Sequence, residues 1–195
     1  MFFDKSKCST AGKITNFAKY VRRHELARFM VRYDIFRRQL GIKGSIVECG
    51  VHQGGGLMTW AKISSILEPY NYHRKVIGFD TFSGFPEVSK IDTDANSAVK
   101  PGMFGEDYDV FSELSEVIKE YDESRYINHI PKVHLVKGDA NETIPKFLEE
   151  NKYLLISLLY LDFDIYKPTV TALKHFLPRI PKGGIIAFDE VNNED

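Results

Sequence analysis

Four carboxylates stand just past two apolar runs near the end of the chain. Asp162 and Asp164 close LLISLLYLDFD, and Asp189 and Glu190 close GGIIAFDE. Each run is almost unbroken in apolar residues, as a parallel strand buried on both faces must be, so the acids fall at strand ends. If the two strands are neighbours, about 4.8 Å apart, Asp162, Asp189 and Glu190 come close enough to share one small cation. So many negative charges at one edge repel unless a metal neutralises them. No zinc pattern competes. His24 and Glu25 begin H-E-x-x-H, but Arg28 holds the second histidine position.

A glycine-rich stretch supplies a second kind of chemistry. SIVECGVHQGGG, Ser45 to Gly56, reads as a buried strand, a glycine turn and the start of a helix. A dinucleotide fingerprint would need a third glycine where Thr59 stands, and a phosphate loop would need lysine and a hydroxyl where Gly56 and Leu57 stand. What matches is E-x-G-x-x-x-G, Glu48, Gly50 and Gly54, which resembles the first motif of class I S-adenosylmethionine-dependent methyltransferases. The resemblance implies that these residues cradle the cofactor, a cation and zwitterion that a strand-end carboxylate suits.

KVIGFD reads as the second strand, and it ends in Asp80, 24 residues past Gly56. In nucleoside-binding α/β folds an acid at that place accepts both ribose hydroxyls. Aspartate is also a common turn former at strand ends, so both readings stand. The third strand, Lys132 to Lys137, is followed by Gly138 and Asp139. By resemblance to the same methyltransferases Asp139 contacts the adenine amino group, a task that Asn141 or the backbone could share.

These residues need elements to position them. Leu57 to Leu67 has helical spacing and Pro69 closes it; Asp109 to Tyr121 is a further helix; Pro168 suits the first turn of another, which Pro178 ends. Between Thr81 and Tyr108 lies a long connection rich in Gly, Pro and Asp. Phe82, Phe85, Met103 and Phe104 interrupt it, which predicts a lid. Before the first strand, Leu26, Phe29, Tyr33, Phe36 and Leu40 recur at helical spacing among six arginines, which predicts an amphipathic helix packed by that stripe. Its basic face is either solvated or meets an anionic acceptor or partner. Residues 1–43 carry eleven Lys and Arg against three acids, so the near-zero net charge of −1 hides a basic extension on an acidic core. Nothing in that extension resembles a nucleic-acid-binding motif, and no nucleic acid is expected as partner.

The 195 residues, 43% apolar and 27% charged, suit one domain with its own core, a helical extension over 1–43 and a Rossmann-like unit over 44–195. Cys8 and Cys49 form no C-x-x-C pair, which suggests a reducing compartment. With no membrane-length apolar run and no signal-peptide pattern, a cytoplasmic protein without membrane partners is expected.

Taken in order, IVECGVHQGGG, VIGFDTFSGFP, KGDANETIP, LDFDIYKPT and GGIIAFDE resemble the macrocin O-methyltransferase family, from about Ala11 onward. The resemblance implies a class I methyltransferase fold, a mostly parallel sheet ordered 3-2-1-4-5. It implies S-adenosylmethionine and magnesium as cofactors, and a sugar-containing small molecule as acceptor. It implies metal ligands at Asp162, Asp189 and Glu190 and a general base at Asp164. The acidic pair, often Asp-Asp in the family, is Asp-Glu here. Two rivals remain: a nucleoside-binding or assembly protein of this fold without catalysis, and an NAD-dependent oxidoreductase, for which the glycine spacing is wrong. The usual last strand pair has no counterpart in the chain. The fifth strand is therefore expected at an edge, and self-association into a homo-oligomer, or a longer reading frame, is expected to cover it.

Overall fold

The computed structural model describes residues 2–96 and 98–189. In chain order the elements are α1 Phe2–Lys5, α2 Thr10–Thr15, α3 Arg23–Gln39, β1 Ser45–Cys49, α4 Gly55–Leu67, β2 Val76–Asp80, α5 Lys90–Ala95, α6 Val110–Glu123, β3 Val133–Lys137, α7 Ala140–Glu150, β4 Ile156–Leu161, α8 Tyr166–Phe176 and β5 Ile185–Phe188. The five strands form one parallel sheet in the expected order, β3-β2-β1-β4-β5. None of the described helices is long and apolar enough to cross a membrane.

Successive strand residues point to opposite faces, and that period divides the core in two. Ile46 of β1 faces a cluster with Leu158 and Tyr160 of β4, covered by Phe36 of α3, Trp60 of α4 and Leu114 of α6. Val47 and Cys49 face the other cluster with Phe79, Ile144 of α7 and Phe176 of α8. Glu48 shares the Ile46 side by the same alternation. It therefore lies beneath α3 and α4, opposite its register partner Tyr160.

The stripe expected to pack α3 does so only in part, through the buried Phe36 and the half-buried Leu26. Phe29, Tyr33 and Leu40 are exposed; Phe36 and Gln39 are the buried residues of the helix. The reason is polar as much as apolar. Arg74, almost wholly buried, gathers the C-terminal end of α3: Nη1 donates to Gln39 Oε1 at 2.6 Å and Ser157 Oγ at 2.5 Å, and Nη2 donates to the Ile42 carbonyl at 3.0 Å. Its Nε pairs with Glu68 at 2.7 Å. Carbonyls left over past a helix end need donors, and one guanidinium serves several of them.

The connection 81–108 holds the short α5 and is tied down on two sides. Asp92 Oδ1 accepts the backbone N–H of Tyr166 at 2.7 Å, and Lys167 Nζ reaches Glu87 at 2.9 Å. On the other side Glu106 Oε1 accepts from Gln53 at 2.5 Å and meets His52 Nε2 at 3.0 Å. Strand β5 pairs with β4 and lies at the sheet edge among the described residues, as expected. Val191 to Asp195 fall outside them.

Candidate functional site

A cavity of about 510 Å³ opens at the carboxyl ends of the strands. Parallel α/β sheets place their ligand sites there, where the chain leaves each strand for a loop. The cavity brings together Glu48, Gly50, Asp80, Asp139, Asp162, Asp164 and Asp189. Gly54 is not among its lining residues. With φ +85° it forms the left-handed N-cap of α4, and a Cβ there would stand 2.5 Å from Leu114 Cδ1. It shapes the turn from behind. Glu190 lies outside the described residues.

Gly50 must be glycine, because a Cβ would fall 1.8 Å from the carbonyl oxygen of Asp162. That contact brings the ends of β1 and β4 together, and the Asp162 N–H donates to the Cys49 carbonyl at 2.7 Å. Asp80 sits at the tip of β2 with its carboxylate already engaged. Oδ2 accepts the backbone N–H groups of Val51 at 2.7 Å and His52 at 2.8 Å, and Oδ1 accepts that of Phe82 at 2.7 Å. The turn-forming reading of Asp80 therefore holds, and a lone pair of Oδ1 stays available toward the cavity. Asp139 caps α7, its Oδ1 accepting from the Asn141 N–H at 2.8 Å and side-chain amide at 2.9 Å.

Asp162 and Asp189 follow directly on register partners, Leu161 and Phe188, so neighbouring strands do bring the two acids to one edge. Tyr160 donates its hydroxyl to Asp189, and burial together with that bond raises the Tyr160 hydroxyl well above its ordinary range. Among the described residues no group of three or more His, Cys, Asp or Glu is placed to hold a metal ion. The donor chemistry nevertheless suits magnesium, which binds through one or two carboxylates and keeps water on its other positions. Burial, against the pull of the nearby Arg32 and with a push from Asp162, raises Glu48 to about 8.

The four non-glycine residues with positive φ among those described, His52, Phe82, Phe104 and Asp164, all line the cavity. Such backbone conformations cost free energy and gather at functional sites. Phe82, Phe85 and Phe104 roof the cavity, as a lid predicts, while Met103 is not among its lining residues. The far wall is α3, through Glu25, Arg28, Phe29 and Arg32. Arg32, Tyr160, His52 and Glu106 escape sequence reasoning as site residues. Only Arg32 had a signal, as one of six arginines on a helix.

The cradle fits a nucleoside carrying a charged amino-acid end. Glycines keep Cβ atoms out of its floor, an acid stands at the β2 tip, and Glu48 Oε2 lies buried with no hydrogen-bond partner. Residues 22–195 match the family model described as Macrocin-O-methyltransferase (TylF). The chain is 27% identical over 151 residues, 77% of its length and 56% of the other's, to the Mycinamicin III 3''-O-methyltransferase of Micromonospora griseorubida. A solved calicheamicin methyltransferase superposes with TM-score 0.89 at 35% identity, over 97% of this chain and 74% of that one. An apo structure described as a TDP-rhamnose 3'-O-methyltransferase of calicheamicin biosynthesis gives 0.79 at 32%, over 98% and 74%. The chain spans about half the length of the curated relatives it matches.

Proposed function

Because the chain belongs to the macrocin O-methyltransferase family, we propose that it moves a methyl group from S-adenosylmethionine to a hydroxyl of a sugar, carried on a nucleotide or in a small-molecule glycoside. The observation that carries this reading is the cavity in which the glycine cradle after β1 meets the acids after β4 and β5. The sugar rests on the relatives, one of which is described as acting on TDP-rhamnose.

In this reading Glu48, Gly50, Asp80 and Asp139 hold the cofactor, and Asp162, Asp189 and Glu190 hold magnesium. When bound, the two supply an electrophilic methyl group and an acceptor hydroxyl of lowered pKa. Asp164 takes the hydroxyl proton as the oxygen–carbon bond forms and the carbon–sulfur bond breaks. The aromatic roof keeps water out, and the closely joined ends of β1 and β4 hold the reacting groups in line.

Incubation with methyl-labelled S-adenosylmethionine, magnesium and a panel of TDP-rhamnose, free rhamnose and rhamnosides tests the proposal. Label in a sugar, abolished by excess chelator and restored by magnesium, is the expected result. Full activity in chelator would remove the metal from the reaction. Calorimetry separates the rivals: NAD binding in place of S-adenosylhomocysteine would indicate an oxidoreductase, and S-adenosylhomocysteine binding without turnover on any acceptor a protein that has lost catalysis.

A further inference from the structure

The acids at the strand ends are held in two ways. Asp80 takes backbone N–H groups on both of its carboxylate oxygens, and Asp139 takes the N–H and side-chain amide of Asn141, so each is fixed by the loop it belongs to or faces. Asp189 has no such loop donor among the described residues. It follows β5, the edge strand, and its carboxylate is held by a side chain from the neighbouring strand: Tyr160 of β4 donates its hydroxyl to Oδ1. Among the described residues no donor reaches Oδ2. The register explains the reach. Tyr160 pairs with Ala187, and Asp189 stands two residues further on the same face of the sheet. Ala187 carries only a methyl group, which leaves the tyrosine room to lean along the strand toward its end.

The ring that carries this hydroxyl has little freedom to turn. Tyr160 is only 6% exposed, the buried Trp60 meets it at 5.6 Å between ring centroids with the planes 62° apart, and the Arg32 guanidinium lies 5.3 Å from its centroid. Phenylalanine would fill the same place with no polar atom to satisfy, so packing does not call for the hydroxyl. What the hydroxyl adds is a donor at a set position. A carboxylate that ligates a cation needs such a bond, because its rotation is otherwise free and must be frozen when the cation binds. With Oδ1 taken by Tyr160, Oδ2 keeps its lone pairs for another partner. Magnesium, which binds through few carboxylates in strict geometry, gains most from an oxygen set in advance.

We propose that Tyr160 is a positioning residue, whose hydroxyl orients Asp189 and leaves Oδ2 to the cation that Asp162 and Asp189 share. The inference rests on the metal assigned in the function proposed above. A second role for the same hydrogen bond, pinning the edge strand β5 to β4, would act on stability and leave metal affinity alone.

Manganese, which takes the same oxygen ligands as magnesium and is paramagnetic, is the probe. Wild-type and Tyr160→Phe proteins are titrated with it, and the free ion is read by its electron paramagnetic resonance. The variant loses one oxygen and keeps the shape of the ring, so the core that holds it is preserved. Tyr160→Phe should bind manganese about tenfold or more weakly than the wild type. Its affinity for S-adenosylhomocysteine, by calorimetry, should stay within about twofold, and its urea midpoint should fall by about 0.5 M or less. Manganese binding that is unchanged or tighter would overturn the proposal, whatever the urea midpoint does, and would leave the bond as a pin for β5. A matching loss of S-adenosylhomocysteine affinity would also overturn it, since Tyr160 would then shape the whole cavity. A wild-type protein that binds no manganese removes the metal from the proposed function, and the positioning role with it.

Discussion

The carboxylate of Asp80 holds His52 by its backbone: Oδ2 accepts the His52 N–H at 2.8 Å, and the Val51 N–H at 2.7 Å beside it. The tip of β2 thus fixes the loop that follows β1, and the residue proposed to meet a ribose also builds the wall next to it. Replacing Asp80 by Ala leaves three backbone donors to find other partners. It should lower unfolding free energy by about 1–3 kcal/mol and weaken S-adenosylhomocysteine binding at least as much. Denaturant titration and calorimetry on the same variant check both effects; intact stability with lost binding would mean that the loop does not need Asp80.

Glu48 ties stability to pH. Its carboxyl, ordinarily near 4.5, is held at about 8 by burial against the pull of Arg32. Between those values the folded chain keeps a proton that the unfolded chain releases, so stability is greatest at the acid end and falls as pH rises. The slope is at most about 1.4 kcal/mol per pH unit and vanishes above about pH 8. Urea denaturation from pH 5 to 8 should show this decline, and Glu48→Gln should remove it. An unchanged slope in the variant assigns the titration to another group.

Asp164 stands in the left-handed region, φ +58°. Asparagine tolerates that conformation well, so Asp164→Asn tests the carboxylate without refolding the loop. Turnover should drop by about 100-fold or more while affinity for S-adenosylhomocysteine stays within about twofold. A parallel loss of affinity would place the residue in cofactor binding instead.

Arg74→Met keeps the volume and removes the donors that gather the end of α3. Glu68 then loses its cationic partner, though Ser64 and Asn71 still donate to it, and Gln39 Oε1 and the Leu40 and Ile42 carbonyls lose their Arg74 donor, at a cost of about 3 kcal/mol or more. The urea midpoint should fall accordingly, and a change below about 0.5 kcal/mol would show that α3 is held by Phe36 alone.

Strands were the legible part of this chain, because a parallel strand covered on both faces must be apolar along its length and must hand over to a loop at its end. That reasoning located Asp80, Asp139, Asp162 and Asp189 at strand ends, and the cavity gathers all four. The N-terminal helix was not legible in the same way. Its regular apolar residues, Phe29 and Tyr33, stand exposed, while a buried arginine from another segment anchors its end. Periodicity reports that a helix has two faces; it does not say which face a long-range polar network will draw inward. Gly54 carries a related ambiguity. A left-handed cap and a ligand contact both require glycine, and the motif alone cannot tell them apart.

The roof over the cavity is moored unequally. Asp92, buried, accepts from the backbone N–H and hydroxyl of Ser89 as well as from Tyr166, whereas the Glu106 grip on the half-exposed His52 is open to solvent and to salt. If the roof opens, the side held by the buried Asp92 is expected to part last, and the loop after β1 to be the edge that is freed first.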